Sequence, residues 1–254
     1  MPVVLGVLAF LCEYMDSSLG MGYGTTLTPV LILMGYPPIL IVPTVLFSEF
    51  LTGVTAGGFH HIFGNISLRR GGHDLGIIMV LASTGVIGTL LAVVTAINIP
   101  GVVLKGYIGA MVLSMGVLVF IFRRHTLLFS WPRIVGVGII SAFNKGMSGG
   151  GYGPLVVSGQ LLSGHGTRNA IGVASFAEGL ICAVGFPLYL CMHGGAGWFV
   201  EHLSFYLPVV IGAILAAPVA AWTTKTISKR VDLRLIIALL TCTLGAWTLW
   251  KTFS

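Results

Sequence analysis

The chain has 254 residues, 56% of them hydrophobic and only 8% charged, with a mean hydropathy of +1.01. Soluble proteins carry about 25% charged residues, so these figures exclude a water-soluble globule and leave a polytopic helical membrane protein. The formal charge of +6 would suit nucleic acid only if the thirteen Lys and Arg formed a patch; they are scattered at the ends of apolar runs, where they mark topology.

In chain order, residues 2–35 read as a medium apolar arm, a glycine-rich break and a shorter apolar arm. Neither arm exceeds the roughly 20 residues of a crossing, which predicts a broken helical hairpin that enters and leaves on one side. The first arm lacks the basic start and small-residue cleavage site of a signal peptide and is expected to stay in the mature protein. Crossings follow at 38–62, 74–97 and 102–122. A second broken hairpin is predicted at 131–163, then crossings at 168–192, 202–222 and 232–251. These segments use up the chain, so 1–254 reads as a single transmembrane domain with no separate enzymatic unit, and no enzyme activity is expected. Cys12, Cys182, Cys191 and Cys242 lie in or beside apolar segments without CxxC spacing, and read as small buried thiols; neither a metal nor a cofactor is expected.

The basic residues orient the segments. Arg69, Arg70, Arg123, Arg124, Arg133, Arg168, Lys225, Lys229, Arg230 and Arg234 all fall on one side, and Lys251 marks the other. By the positive-inside rule both termini are expected outside the plasma membrane.

An offset of 129 residues puts Gly20, Gly22, Tyr23 and Gly24 on Gly149, Gly151, Tyr152 and Gly153, and Phe47, Glu49 and Leu51 on Phe176, Glu178 and Leu180. It also aligns Leu33 with Leu162 and Gly35 with Gly164, and carries 74–97 and 102–122 onto later crossings. Each half, about 1–125 and 130–254, is one broken, re-entrant-like hairpin plus three transmembrane helices. An odd number of crossings inverts the second half relative to the first, the plan of many secondary transporters. The predicted fold class is therefore an all-α polytopic membrane protein built from two inverted-topology repeats.

The two breaks are the first candidate site. Their glycines let backbone N–H groups approach a ligand, and the start of each following arm offers a positive dipole end, which favours an anion. The alternative is that glycine serves only tight turning and close packing. Gly20, Gly22, Tyr23 and Gly24 in the first break, and Gly149, Gly150, Gly151 and Tyr152 in the second, are the candidate contacts. Lys145, with Asn144 and Ser148 beside it, reads either as a point charge for an anionic substrate or as a structural partner of Asp16 or Glu13.

Glu49 and Glu178 fall near the centres of their crossings. Small residues share their helix faces, Gly53 and Ala56 with Glu49, and Ala174, Ser175, Cys182 and Gly185 with Glu178, so both acids are expected inside the bundle. Such carboxyls suit proton uptake and release during transport, with a structural hydrogen-bonding role as the alternative. His60, His61, His73, His125, His193 and His202 cluster at the ends of crossings and read as interfacial; His165 lies in the turn closing the second hairpin.

Gly-Met-Gly-Tyr-Gly at 20–24 and Gly-Gly-Gly-Tyr-Gly-Pro at 149–154 resemble the repeated motif of the TauE/SafE family, sulfite-exporter-like permeases of the toluene sulfonate uptake superfamily. The resemblance extends over nearly the whole chain, and Met21 in the first copy departs from it. It implies a permease for small sulfur-containing anions such as sulfite, thiosulfate or organosulfonates. Proton coupling through Glu49 and Glu178 is the expected mode, with a thiol-redox carrier using Cys12 and Cys182, or a passive anion channel, as alternatives. Expected partners are a small anionic substrate and membrane lipid, with a homodimer left open and no nucleic acid.

Overall fold

A computed structural model describes residues 1–122, 130–162, 166–226 and 233–254. Arg123, Arg124, His125, Gly164, His165, Lys229 and Arg230, and the side chain of Arg234, lie outside the described residues. Among those described there are eleven helices and no strand: α1 (Pro2–Leu19), α2 (Tyr23–Leu33), α3 (Pro38–Ile62), α4 (His73–Asn98), α5 (Gly101–Phe122), α6 (Trp131–Ser148), α7 (Tyr152–Leu162), α8 (Thr167–Met192), α9 (Gly195–Glu201), α10 (Leu203–Thr226) and α11 (Leu233–Phe253). The expected crossings therefore match helices to within a few residues at each end. The short α9 was not anticipated, because seven residues carry too little periodicity to stand out.

Proline in the first turn starts α1, α3 and α6, where its missing N–H would have had no helical partner. Both broken helices stop in the same way. Gly20 (φ 77°) and Gly149 (φ 73°) adopt the left-handed conformation, and their N–H groups return to Asp16 O (2.6 Å) and Lys145 O (2.8 Å). Among the described residues six helices are long and apolar enough to cross a membrane: α1, α3, α4, α5, α8 and α10. Ile87, Leu91, Ile211, Leu215 and Trp222 on their outer faces are exposed, as lipid contact requires.

Each broken helix turns back on itself. Along α1, Gly6 lies against Pro208 and the Tyr14 hydroxyl donates to Thr223 Oγ1 (3.3 Å), so α1 runs parallel to α10. After α2 the Tyr36 ring packs on Phe205 (4.6 Å between centroids), back at the start of α10. The second hairpin behaves alike at the start of α4. Trp131 at its beginning packs near His73, and Gln160 near its end donates to Ala170 O in α8, where neighbouring Asn169 donates to Asp74.

Contacts exchange under the 129-residue offset. Helices α4 and α6 pack together, as do α10 and α1. A Cβ on Gly24 would collide with Gly149 and Gly150, and one on Gly153 with Gly20 and Met21. Gly116 lies against Cys242, and Gly245 against Leu113. Along α5 and α11, Gly106 meets Phe253 while Gly116 meets Cys242, so these equivalent helices run antiparallel. The ends carrying Arg69, Arg70, Arg133, Arg168 and Lys225 are linked at one end of the bundle through the Asn65–Ala221, Asn169–Asp74 and His73–Trp131 contacts. Lys251 lies at the opposite end, where its Nζ donates to Leu33 O (2.7 Å).

Candidate functional site

Glycine makes the centre. Where α3 crosses α8, a Cβ on Gly53 would stand 2.7 Å from Gly179 Cα, so only glycine permits the backbones this approach. Glu49, one turn before Gly53, and Glu178, next to Gly179, are thereby brought inside the bundle, and both are buried. Lys145 comes between them from the last turn of α6. Its Nζ lies 2.8 Å from Glu178 Oε1 and is also paired with Glu49, at 1% exposure. The two acids are equivalents under the 129-residue offset, so one lysine is held by a carboxylate from each half.

Asp16 and Glu13 complete an acidic surround. Asp16 Oδ1 accepts from Tyr23 N (3.2 Å), so the positive start of α2 is already met by a carboxylate of the chain itself. Carboxylate oxygens of Asp16, Glu49 and Glu178 lie within 4.8 Å of one another. Glu13 accepts from Ser17 Oγ and from Thr52 Oγ1 (3.2 Å). A cavity of about 10 Å³, room for roughly one water, lies among Glu13, Asp16, Glu49, Thr52, Ser175 and Glu178. All-oxygen donors of this kind can hold a hard cation. Here Lys145 pairs with two of the three clustered acids, so the ammonium takes that role.

The glycine breaks cross each other: Gly24 abuts Gly149 and Gly150, and Gly153 abuts Gly20 and Met21. Gly22 (φ 141°) and Gly151 (φ 82°) turn the chain into α2 and α7. The polar residues named from sequence engage the protein itself. Asn144 Oδ1 accepts from the Tyr107 hydroxyl (2.6 Å), Ser148 Oγ donates to Asn144 O (2.7 Å) and accepts from Gly150 N (3.0 Å), and the Tyr23 hydroxyl bonds Ser48 Oγ (2.6 Å). Tyr152, the equivalent of Tyr23, faces a different situation. Ala177 stands where the offset places Ser48, and the buried Tyr152 hydroxyl has no hydrogen-bond partner among the described residues.

Sequence reasoning missed several groups. Asp16 and Glu13 entered only as partners for Lys145, whereas Lys145 pairs with Glu49 and Glu178. The hydroxyls of Thr25, Thr26, Thr28 and Ser175 are buried without a hydrogen-bond partner among the described residues, and such groups are uncommon unless a ligand or water uses them. The Thr-Thr-Leu-Thr run immediately after a glycine break was the only signal for the three threonines, whereas Ser175 was read on the helix face of Glu178. His60 is fully buried rather than interfacial: Asn65 Nδ2 donates to its Nδ1 (3.0 Å), and its Nε2 lies 3.0 Å from Ser17 O. Cys12 and Cys182 are buried free thiols as expected, whereas Cys191 is exposed and Cys242 half-buried.

Apolar helices around two broken hairpins, with a buried lysine shared between carboxylates where the breaks meet, are the parts of a membrane transporter, whose charged groups within the bilayer serve substrate or ions. The family model described as Sulfite exporter TauE/SafE matches residues 5–248, and the chain belongs to that family. It is also 29% identical over 237 residues to the Probable membrane transporter protein YtnM of Bacillus subtilis (strain 168), an alignment covering 88% of this chain and 74% of that protein. The chain is thus a multi-pass membrane transporter of the TauE/SafE type.

Proposed function

We propose that the protein carries a small sulfur-containing anion, such as sulfite, thiosulfate or an organosulfonate, together with protons. The observation behind this reading is the pairing of Lys145 with Glu49 and Glu178. In a low-dielectric interior an ammonium already held by two carboxylates has no attraction left for a third anion. An incoming anion gains the lysine only when protons neutralise the acids that hold it. The substrate and at least one proton then enter the cycle together, and release of the proton returns the lysine to its carboxylates.

The unpartnered hydroxyls of Thr25, Thr28 and Tyr152 supply donors for oxyanion oxygens. The two crossing glycine breaks keep these donors next to the site. Equivalent helices that run antiparallel support two halves of inverted topology, rocking about this centre. With the basic ends facing the cytoplasm, both termini lie outside the plasma membrane.

The test is uptake of labelled thiosulfate, sulfite and taurine into proteoliposomes under an imposed pH gradient. Gradient-driven accumulation that disappears in Glu49→Gln and Glu178→Gln supports the reading. Full gradient-driven accumulation in both variants refutes it.

A further inference from the structure

We infer that His60 and Tyr189 are equivalent positioning residues that clamp the two broken helices beside their charged groups, and that protonation of His60 opens the first clamp only. The carbonyls near the end of an α-helix have no helical partner. Ser17 O in α1 and Gly146 O in α6 are such groups, separated by the same 129-residue offset. Each is met by a side chain from the long helix of its own half: His60 Nε2 at 3.0 Å from Ser17 O, and the Tyr189 hydroxyl donating at 2.8 Å to Gly146 O. His60 and Tyr189 are themselves related by that offset. The clamped carbonyls directly follow Asp16 and Lys145, so each clamp fixes the turn that carries a charged group of the site.

The hydrogen bonds define the state of the ring. Asn65 Nδ2 donates both to His60 Nδ1 and to Ala221 O (3.0 Å each), so Nδ1 is an acceptor and Nε2–H donates to Ser17 O. That is the neutral imidazole. A proton on Nδ1 would face the Asn65 amide donor, and turning the amide over would set its oxygen against Ala221 O. The network has no arrangement for the charged ring, whereas the Tyr189 clamp carries no group that titrates near neutral pH.

Ser17 O of α1 and Asn65 after α3 meet the two ring nitrogens and Gly172 of α8 lies against the ring, while Ala221 and Thr224 of α10 bond Asn65 and Ser17 in turn. The acidic, basic and histidine side chains on these elements are Glu13 and Asp16 on α1, Glu49 and His61 on α3, Arg168 and Glu178 on α8 and Lys225 on α10, with Cys12, Tyr14, Cys182, Tyr189, Cys191 and Tyr206 as the weaker titratable groups. Among the described hydrogen bonds and ion pairs, none of them reaches the ring. Ser17 O is also approached by the Thr224 hydroxyl at 3.1 Å, so the clamp joins the ends of α1, α3 and α10.

Amide hydrogen exchange on the purified protein in nanodiscs reads both clamps without knowledge of the substrate, so it succeeds or fails independently of the proposed anion. Only the opened ring is free to take a proton in the ordinary histidine range, so between about pH 8 and pH 5 exchange corrected for its intrinsic pH dependence should rise by at least about tenfold in the last turn of α1. The last turn of α6 should not respond. His60→Tyr, which copies the other half, should abolish the response, and Tyr189→His should create one in α6. An unchanged response in His60→Tyr, no response in the wild type, or no gain in Tyr189→His would each overturn the inference.

Discussion

Lys145→Met removes the cation and leaves Glu49, Glu178 and Asp16 as neighbours inside the bundle. Lys145 is 1% exposed, with Glu178 Oε1 at 2.8 Å and Glu49 paired on its other side. Taking one partner out of a buried ion pair costs about 3–5 kcal/mol, because the remaining charge is stranded. The cost should be greatest at alkaline pH, where the stranded acids stay ionised, and smaller at acid pH, where protons neutralise them. Thermal unfolding in detergent at about pH 8 and about pH 5 measures both values, across the ordinary range of ionisation. Adding Glu49→Gln and Glu178→Gln to Lys145→Met removes the stranded charges and should recover most of the lost stability. Equal stability of Lys145→Met and the wild type at both pH values, or no recovery in the triple variant, would refute the assignment of Lys145 to this shared pair.

Three further outcomes follow from the packing, the charges and the thiols. Gly24→Ala should abolish transport, since its Cβ would collide with Gly149 O, whereas Gly58→Ala, with open space around the added methyl, should gain up to about 1 kcal/mol of stability and keep transport, as unfolding and uptake assays would record. In a cysteine-free background, single cysteines placed at Arg70 and Thr226 should label only from the cytoplasm and ones at Asn98 and Gly195 only from outside; labelling of Thr226 and Gly195 positions from the same side would remove the inverted arrangement. That cysteine-free protein should itself retain transport in proteoliposomes, and loss of transport in a folded preparation would favour a thiol-redox carrier.

The backbone was legible because its signals are local. Apolar runs bounded by charge, Pro and Gly marked the long helices, and left-handed turns at Gly20 and Gly149 end α1 and α6 where the breaks were read. The central placement of Glu49 and Glu178 followed from the small residues on their helix faces. The partner of Lys145 did not, because the approach of α3 to α8 at Gly53 and Gly179 is a tertiary event. Sequence spacing suggested Asp16, which instead meets the start of α2 through Tyr23 N. His60 looked interfacial from its position near the end of α3, but the turn at Asn65 and the end of α10 cover it.

The central claim is that a substrate anion and the two acids compete for one lysine, and proton uptake on anion binding tests it most directly. Titration calorimetry with thiosulfate, a fully ionised dianion that brings no proton of its own, in buffers of different ionisation enthalpy counts the protons taken from solution. The account predicts at least one proton taken up per anion by the wild type, and none by the Glu49→Gln, Glu178→Gln double variant. Thiosulfate binding to the wild type without proton uptake, or undiminished uptake in the double variant, would contradict it.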